Sequence, residues 1–155
     1  MLQRLFKSFR YAIRGIAIAV GEERNMQIHL AAAYVAAALG IIARLPAERW
    51  AIVVICCGLV MALEAMNTAV EAACDNMPTE RDELLGKAKD TAAGAVLIGA
   101  ICSVIVAIFV FCTGEPWQNL VAALAAKPVA TVAIVVLPAL VIMNLYRLTE
   151  KFGRK

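Results

Sequence analysis

Charge is thin in this 155-residue sequence: Asp, Glu, Lys and Arg together make up 17% of it, and long stretches carry none. Ala51–Leu63 and Thr91–Cys112 are two such runs. With 63% hydrophobic residues and a mean hydropathy of +0.79, the chain exceeds what a soluble core of this size needs and reads as a membrane protein. The net charge of +3 is too small, and basic residues too rarely interleave with aromatics, for nucleic acid to be a partner. Histidine occurs once, as His29 where a polar segment meets an apolar one, which reads as an interfacial residue and not a ligand. The five cysteines, Cys56, Cys57, Cys74, Cys102 and Cys112, show neither CxxC nor metal-site spacing and read as small hydrophobes. No apolar run follows the N-terminal basic residues as a signal peptide requires. The phosphate-binding and catalytic-loop signatures of soluble kinases are absent as well.

What is present is helical and long. Over residues 2–20, Leu2, Leu5, Phe6, Phe9, Ile13, Ile16 and Val20 share one helical face, while Arg4, Lys7, Tyr11 and Arg14 share another. That pattern predicts an amphipathic helix lying in the bilayer interface. Gly21–Asn25 reads as a charged bend, and spans are expected at about 28–43, 50–73 and 91–112. Pro46 breaks the chain between the first two spans, with Trp50 as an interfacial anchor, and a charged loop is expected from Asp75 to Asp90. After Thr113–Trp117 a weakly amphipathic piece leads to Lys127-Pro128, and residues 129–146, with Pro138 inside, form a candidate fourth span. The expected fold class is all-α: a multi-pass helical bundle with an interfacial N-terminal helix, three core spans and a C-terminal fourth.

The cations orient this bundle. Five Lys and Arg precede the first span, three lie in residues 75–90 and four follow Tyr146, against two in 44–49 and one in 113–128. The positive-inside rule then puts both termini and the 75–90 segment in the cytoplasm, which needs an even number of spans. Rows of small residues every fourth position (Ala32, Ala36, Gly40; Ala65, Ala69, Ala73; Ala95, Gly99, Ser103, Ala107) allow close helix approach and make oligomerisation plausible.

The second span carries the chemistry. Glu64, Asn67, Glu71 and Asp75, spaced three, four and four residues apart, lie on one helical stripe. A carboxylate at the centre of a membrane helix costs about 2.5–3.5 kcal/mol on insertion scales, so such a stripe is there for a reason. An interhelical polar clamp needs one polar pair, and this stripe has four members. Carboxylates gathered with an amide and Lys89 at one membrane face suit a hard divalent ion with phosphate, and an embedded Glu suits a general base or proton carrier. On the residues alone, lipid chemistry and ion coupling both stay open. A small ion- or proton-coupled transporter would need polar residues at the same depth on facing helices, where Ser103 is the main candidate.

Three blocks in order, Glu22-Glu23-Arg24-Asn25, the Ala62–Asp75 segment ALEAMNTAVEAACD and the Gly86–Val96 segment GKAKDTAAGAV, resemble the prokaryotic diacylglycerol kinase and undecaprenol kinase family. The resemblance runs from about Phe9 to Phe111. It implies a membrane lipid kinase domain over 1–112, with 113–155 a C-terminal extension outside the pattern. The family implies a homotrimer in a bacterial cytoplasmic (inner) membrane, with the active site on the cytoplasmic side. It transfers the γ-phosphoryl of ATP, with Mg²⁺, to the hydroxyl of a membrane lipid.

By position, the resemblance makes Glu64 the general base, Asn67 its positioning partner and Glu23 and Glu71 the metal carboxylates. It gives Lys89 a phosphate-contacting role, and nucleotide contacts to Tyr11, Glu23, Asp75, Gly86, Lys89 and Asp90. The lipid would meet Glu64 and Ala65. The Tyr11–Gly15 segment and Glu22–Asn25 resemble the undecaprenol-kinase branch more closely, while Glu80-Arg81-Asp82-Glu83 departs from the Glu-Tyr-His many members carry there.

Overall fold

A computed structural model describes residues 2–77 and 83–153, with side chains to Asn144. It consists of α1 (Leu2–Glu22), α2 (Arg24–Ile42), α3 (Ala47–Asp75), α4 (Glu83–Phe111), α5 (Gly114–Ala126) and α6 (Pro128–Gly153). Three of these, α2, α3 and α4, are long and apolar enough to cross a membrane; α5 and α6 qualify only together, as a pair bent by 109°.

The apolar face foreseen on α1 is exposed, with Phe6 71% and Ile13 65%, and so is the face that carries Arg4, Lys7 and Arg14. The expected bend over Gly21–Asn25 is reduced to Glu23, which takes an extended conformation before α2 starts. Gln27, buried on the first turn of α2, donates from Nε2 to Val20 O across that break at 3.1 Å and fixes the angle between the helices.

Close packing follows the small residues, though not uniformly. At Gly99 of α4 a Cβ would come within 2.7 Å of Leu63 Cδ1, so the glycine sets how near α3 and α4 approach. Gly40 likewise receives the Trp50 ring, which would lie 2.7 Å from an added Cβ. Trp50, foreseen as an interfacial anchor, is thus folded over α2. Ala36 packs against the core of Val53, Val110 and Phe111, while Ala32 is exposed, and with Ala33 both border an open groove. Ala69 and Ala73 are exposed.

The far end of the bundle, away from the polar stripe, is its best-packed part, built from Ala43, Leu45, Val53, Val110 and Phe111. Arg49 Nη1 donates to Val110 O at 2.6 Å and to Thr113 O at 3.1 Å, satisfying carbonyls orphaned at the end of α4. Asn119 on α5 does the same for Ala43 at the end of α2 (2.9 Å).

The charged loop anticipated from Asp75 to Asp90 is shorter than expected. Helix α3 continues to Asp75 and α4 begins at Glu83, so Asp75, Gly86, Lys89 and Asp90 sit on helices. Glu83 and Lys87, four residues apart and 2.6 Å from each other, support that first turn. Glu80, Arg81 and Asp82 of the departing stretch lie outside the described residues, as do the side chains of Arg147 and Lys151 and all of Arg154 and Lys155.

The extension docks on one partner. Helix α6 packs along α2, with further contacts to α1 and α5; among the described residues it meets neither α3 nor α4. Tyr34 on α2 donates its hydroxyl to Ile134 O on α6 at 2.7 Å, four residues ahead of Pro138. Proline removes the bond to the carbonyl four positions earlier, so Ile134 O is the acceptor left free, and Tyr34 satisfies it.

Candidate active site

The stripe on α3 is the floor of the site. Glu64 is 1% exposed and Asn67 6%, so both have left solvent, while Glu71 is half-buried and Asp75 open. Asn67 Nδ2 donates to Glu71 Oε1 at 2.8 Å, one turn along the helix. The other end of that amide, Asn67 Oδ1, is buried and has no hydrogen-bond partner among the described residues. Buried acceptors are nearly always paired, so this one is aimed at something the site is built to receive.

Helix α2 supplies the facing wall. The Asn25 side chain interacts with the Glu64 carboxylate. One turn further on, His29 Nε2 lies 3.9 Å from Glu64 Oε2, with side chains 18% and 2% exposed respectively. With Asn67 and Ala93, Val96, Leu97 and Ala100 of α4, these residues enclose a cavity of about 250 Å³. His29 and Ala100 are shared with the groove between α2, α3 and α4, which has a volume of about 270 Å³ and runs to Val110 and Phe111. A pocket with polar groups from α2 and α3 on an otherwise aliphatic lining thus adjoins an apolar groove.

At the mouth, Glu23 joins Glu71 and Glu64. Burial pushes the Glu23 carboxyl above its ordinary value, and the Glu71, Glu64 and Glu22 carboxylates push it further. Among the described residues no three His, Cys, Asp or Glu side chains converge as a complete metal cage. Two carboxylates plus substrate phosphates are the usual holding of Mg²⁺, so Glu23 and Glu71 fit that ion when a nucleotide completes its shell. Lys89 Nζ, 2.7 Å from Asp75 Oδ1, waits beside them on α4. Asp90 and Gly86 are exposed on the same two turns, and no atom lies within 4 Å of a Cβ added at Gly86.

Ala65 is half-buried beside Glu64. Tyr11 is left apart: it is 61% exposed on α1, with Arg10 stacked 5.7 Å from its ring centre. His29, expected as an interfacial residue and not as a ligand, forms one wall of the pocket. The available signal was its spacing of four from Asn25, which puts both on one face of α2. The polar groups of the first span at the depth of Glu64 were missed for the same reason.

A family model described as prokaryotic diacylglycerol kinase matches residues 10–111, from the middle of α1 to the end of α4. An undecaprenol kinase of Bacillus subtilis is 39% identical over 110 residues, which cover 71% of this chain and 89% of that one. A diacylglycerol kinase of Synechocystis is 40% identical over 103 residues, 66% of this chain and 59% of the relative. The diacylglycerol kinase of Escherichia coli K12 is 49% identical over 47 residues, 30% of this chain and 38% of its own. No solved structure matches.

Proposed function

The chain belongs to the prokaryotic diacylglycerol kinase family of lipid kinases, and we propose that it phosphorylates the hydroxyl of a single-chain polyprenol, such as undecaprenol, with MgATP as donor. The observation that carries this reading is the buried Glu64 in a pocket that adjoins an apolar groove. From Ala100 to Phe111 that groove follows α4 for about 16 Å at 1.5 Å per residue. Over that length the groove, lined by aliphatic side chains, offers one hydrocarbon chain an apolar track. A lipid lying there brings its hydroxyl to Glu64, and the match to an undecaprenol kinase over most of that relative's length supports the same acceptor.

In this reading Glu64 takes the hydroxyl proton and Asn67 orients the reacting groups through its buried Oδ1. Glu23 and Glu71 hold Mg²⁺ against the nucleotide phosphates. When bound, the ion neutralises charge on the transferring phosphoryl group. Lys89 exchanges Asp75 for a phosphate oxygen, and Asp75, Gly86 and Asp90 border the nucleotide. Tyr11 would have to approach by movement of α1, or from a second copy in a homotrimer. The relatives named above are all kinases and lend no support to a transporter.

The deciding experiment uses the full-length protein in detergent with radiolabelled ATP, Mg²⁺, and undecaprenol or diacylglycerol in parallel. Label is expected in undecaprenyl phosphate, with kcat/KM for diacylglycerol lower by a factor of about 10 or more, as one misfitted hydrocarbon contact alone costs about 1–3 kcal/mol. Preference for diacylglycerol would overturn the single-chain assignment. Transfer to neither lipid would overturn lipid phosphorylation.

Residues 1–112 form the kinase unit in this reading, in a bacterial cytoplasmic membrane with the site facing the cytosol. The 129–146 segment crosses back, so that Arg147, Lys151, Arg154 and Lys155 end beside the N-terminus. A reporter active only in the cytosol, fused after Lys155, is expected to be active. A silent one, with an active periplasmic reporter at the same position, would place α5 and α6 along the outer surface.

A further inference from the structure

Resting on the kinase reading, we infer that His29 takes the proton from Glu64 and releases it, acting through the base and not on the lipid itself. Glu64 is 1% exposed at the bottom of its pocket, so with lipid and nucleotide seated over it a proton it accepts has no direct route to water. Of its neighbours, Asn25 and Asn67 carry amides that accept no proton at neutral pH, and Glu71 is engaged by Asn67 Nδ2. The wall from α4 in this cavity is aliphatic. Helix α6, against the flank of α2, carries no charged residue from Pro128 to Asn144. Glu22 and Glu23 stand at the mouth, where Glu23 is placed for the metal. Among the described residues around Glu64, only His29, with Nε2 3.9 Å from Glu64 Oε2 and its side chain 18% exposed, combines a basic atom with a way out.

The step balances as follows. The lipid oxygen forms a bond to the γ-phosphorus as the bond from that phosphorus to the ADP oxygen breaks, and the hydroxyl proton passes to Glu64. That proton then moves from the Glu64 carboxyl to neutral His29 Nε2, which leaves carboxylate and imidazolium, and His29 loses it to water. The 3.9 Å separation exceeds a hydrogen bond of about 2.8 Å by roughly one ångström, so the transfer requires the two side chains to close that gap.

The test compares wild type with His29→Gln and His29→Ala in the undecaprenol assay, by rapid quench and in steady state. His29→Gln is expected to make a first equivalent of product at the wild-type rate and then to slow by about 10²-fold, the lower range for a lost proton-transfer group. Its KM values for ATP and lipid should fall along with kcat, because the slow step then follows product formation, and kcat/KM should stay near wild type. Imidazole in the buffer should restore His29→Ala in proportion to its neutral form, which a purely structural residue would not show. Wild-type turnover in His29→Gln would overturn the inference. So would an equal loss in the first and later turnovers with no rescue by imidazole. A wild-type protein inactive on every lipid would instead fault the kinase reading on which the inference rests.

Discussion

Glu64→Gln is expected to reduce phosphoryl transfer by about 10²–10⁴-fold, the range for removing a positioned general base. The substitution keeps the shape of the side chain and its ability to hydrogen-bond, and it replaces a proton-accepting oxygen by an amide that accepts none. Folding should survive it: Glu64 is 1% exposed, and a neutral amide is cheaper to bury there than a carboxylate. The Asn25 interaction can persist with an amide as partner, and ATP is placed at the Lys89 end of the site, so nucleotide affinity should change little. Turnover of the purified variant, measured beside ATP binding and thermal unfolding, checks the assignment. A rate close to wild type would remove Glu64 from the chemistry.

The second large effect is expected at Glu71, where charge and hydrogen bonding must be separated. Glu71→Ala removes both the proposed metal carboxylate and the acceptor for Asn67 Nδ2, and an orphaned buried donor costs about 1–3 kcal/mol on its own. Glu71→Gln keeps an acceptor for Asn67 and loses only the charge. Both variants are expected to lose about a hundredfold or more in kcat/KM and to need more Mg²⁺, because metal stabilisation of the transferring group is worth several kcal/mol. Glu71→Asp should recover part of the loss at high Mg²⁺.

The same replacement has a readout without nucleotide. Folding raises the Glu23 carboxyl, through burial first and then through Glu71, Glu64 and Glu22, so the folded protein holds that proton more tightly than the unfolded chain. Its contribution to stability is therefore full below the unfolded value near 4.5 and is lost as pH rises through the folded value. Glu71→Gln removes one of the repelling charges and should flatten that decline. A Glu71→Gln protein with unchanged Mg²⁺ dependence would contradict the metal role.

The stripe on α3 was legible because its period is that of a helix and its neighbours are apolar; four polar residues in such a segment admit few placements. The facing wall was not. Helix α2 is apolar nearly all round, so nothing in its composition says which side turns to α3, and Asn25 and His29 could be placed on one face but not opposite Glu64. The length of the Asp75–Asp90 connection was overestimated because charge was taken as the end of a helix. At a membrane surface a helix can continue into water, and Glu83 paired with Lys87 favours that. The docking of α6 on α2 was hidden for a different reason. It is fixed partly by the Tyr34 hydroxyl on a backbone carbonyl freed by Pro138, and a carbonyl leaves no mark in sequence patterns.

That docking also bears on the order in which the protein is made. Every residue assigned to the chemistry lies before the last turn of α4, and a ribosome delivers that part of the chain first. Helix α6 arrives last, and across the hundred positions between Tyr34 and Ile134 it covers a flank of α2 that lipid alone had bordered until then. It joins a catalytic unit whose parts are already inserted, and among the described residues it meets neither α3 nor α4, where the stripe and Lys89 are carried. Changes along α6 should therefore alter how long the enzyme survives in the bilayer far more than how fast it works.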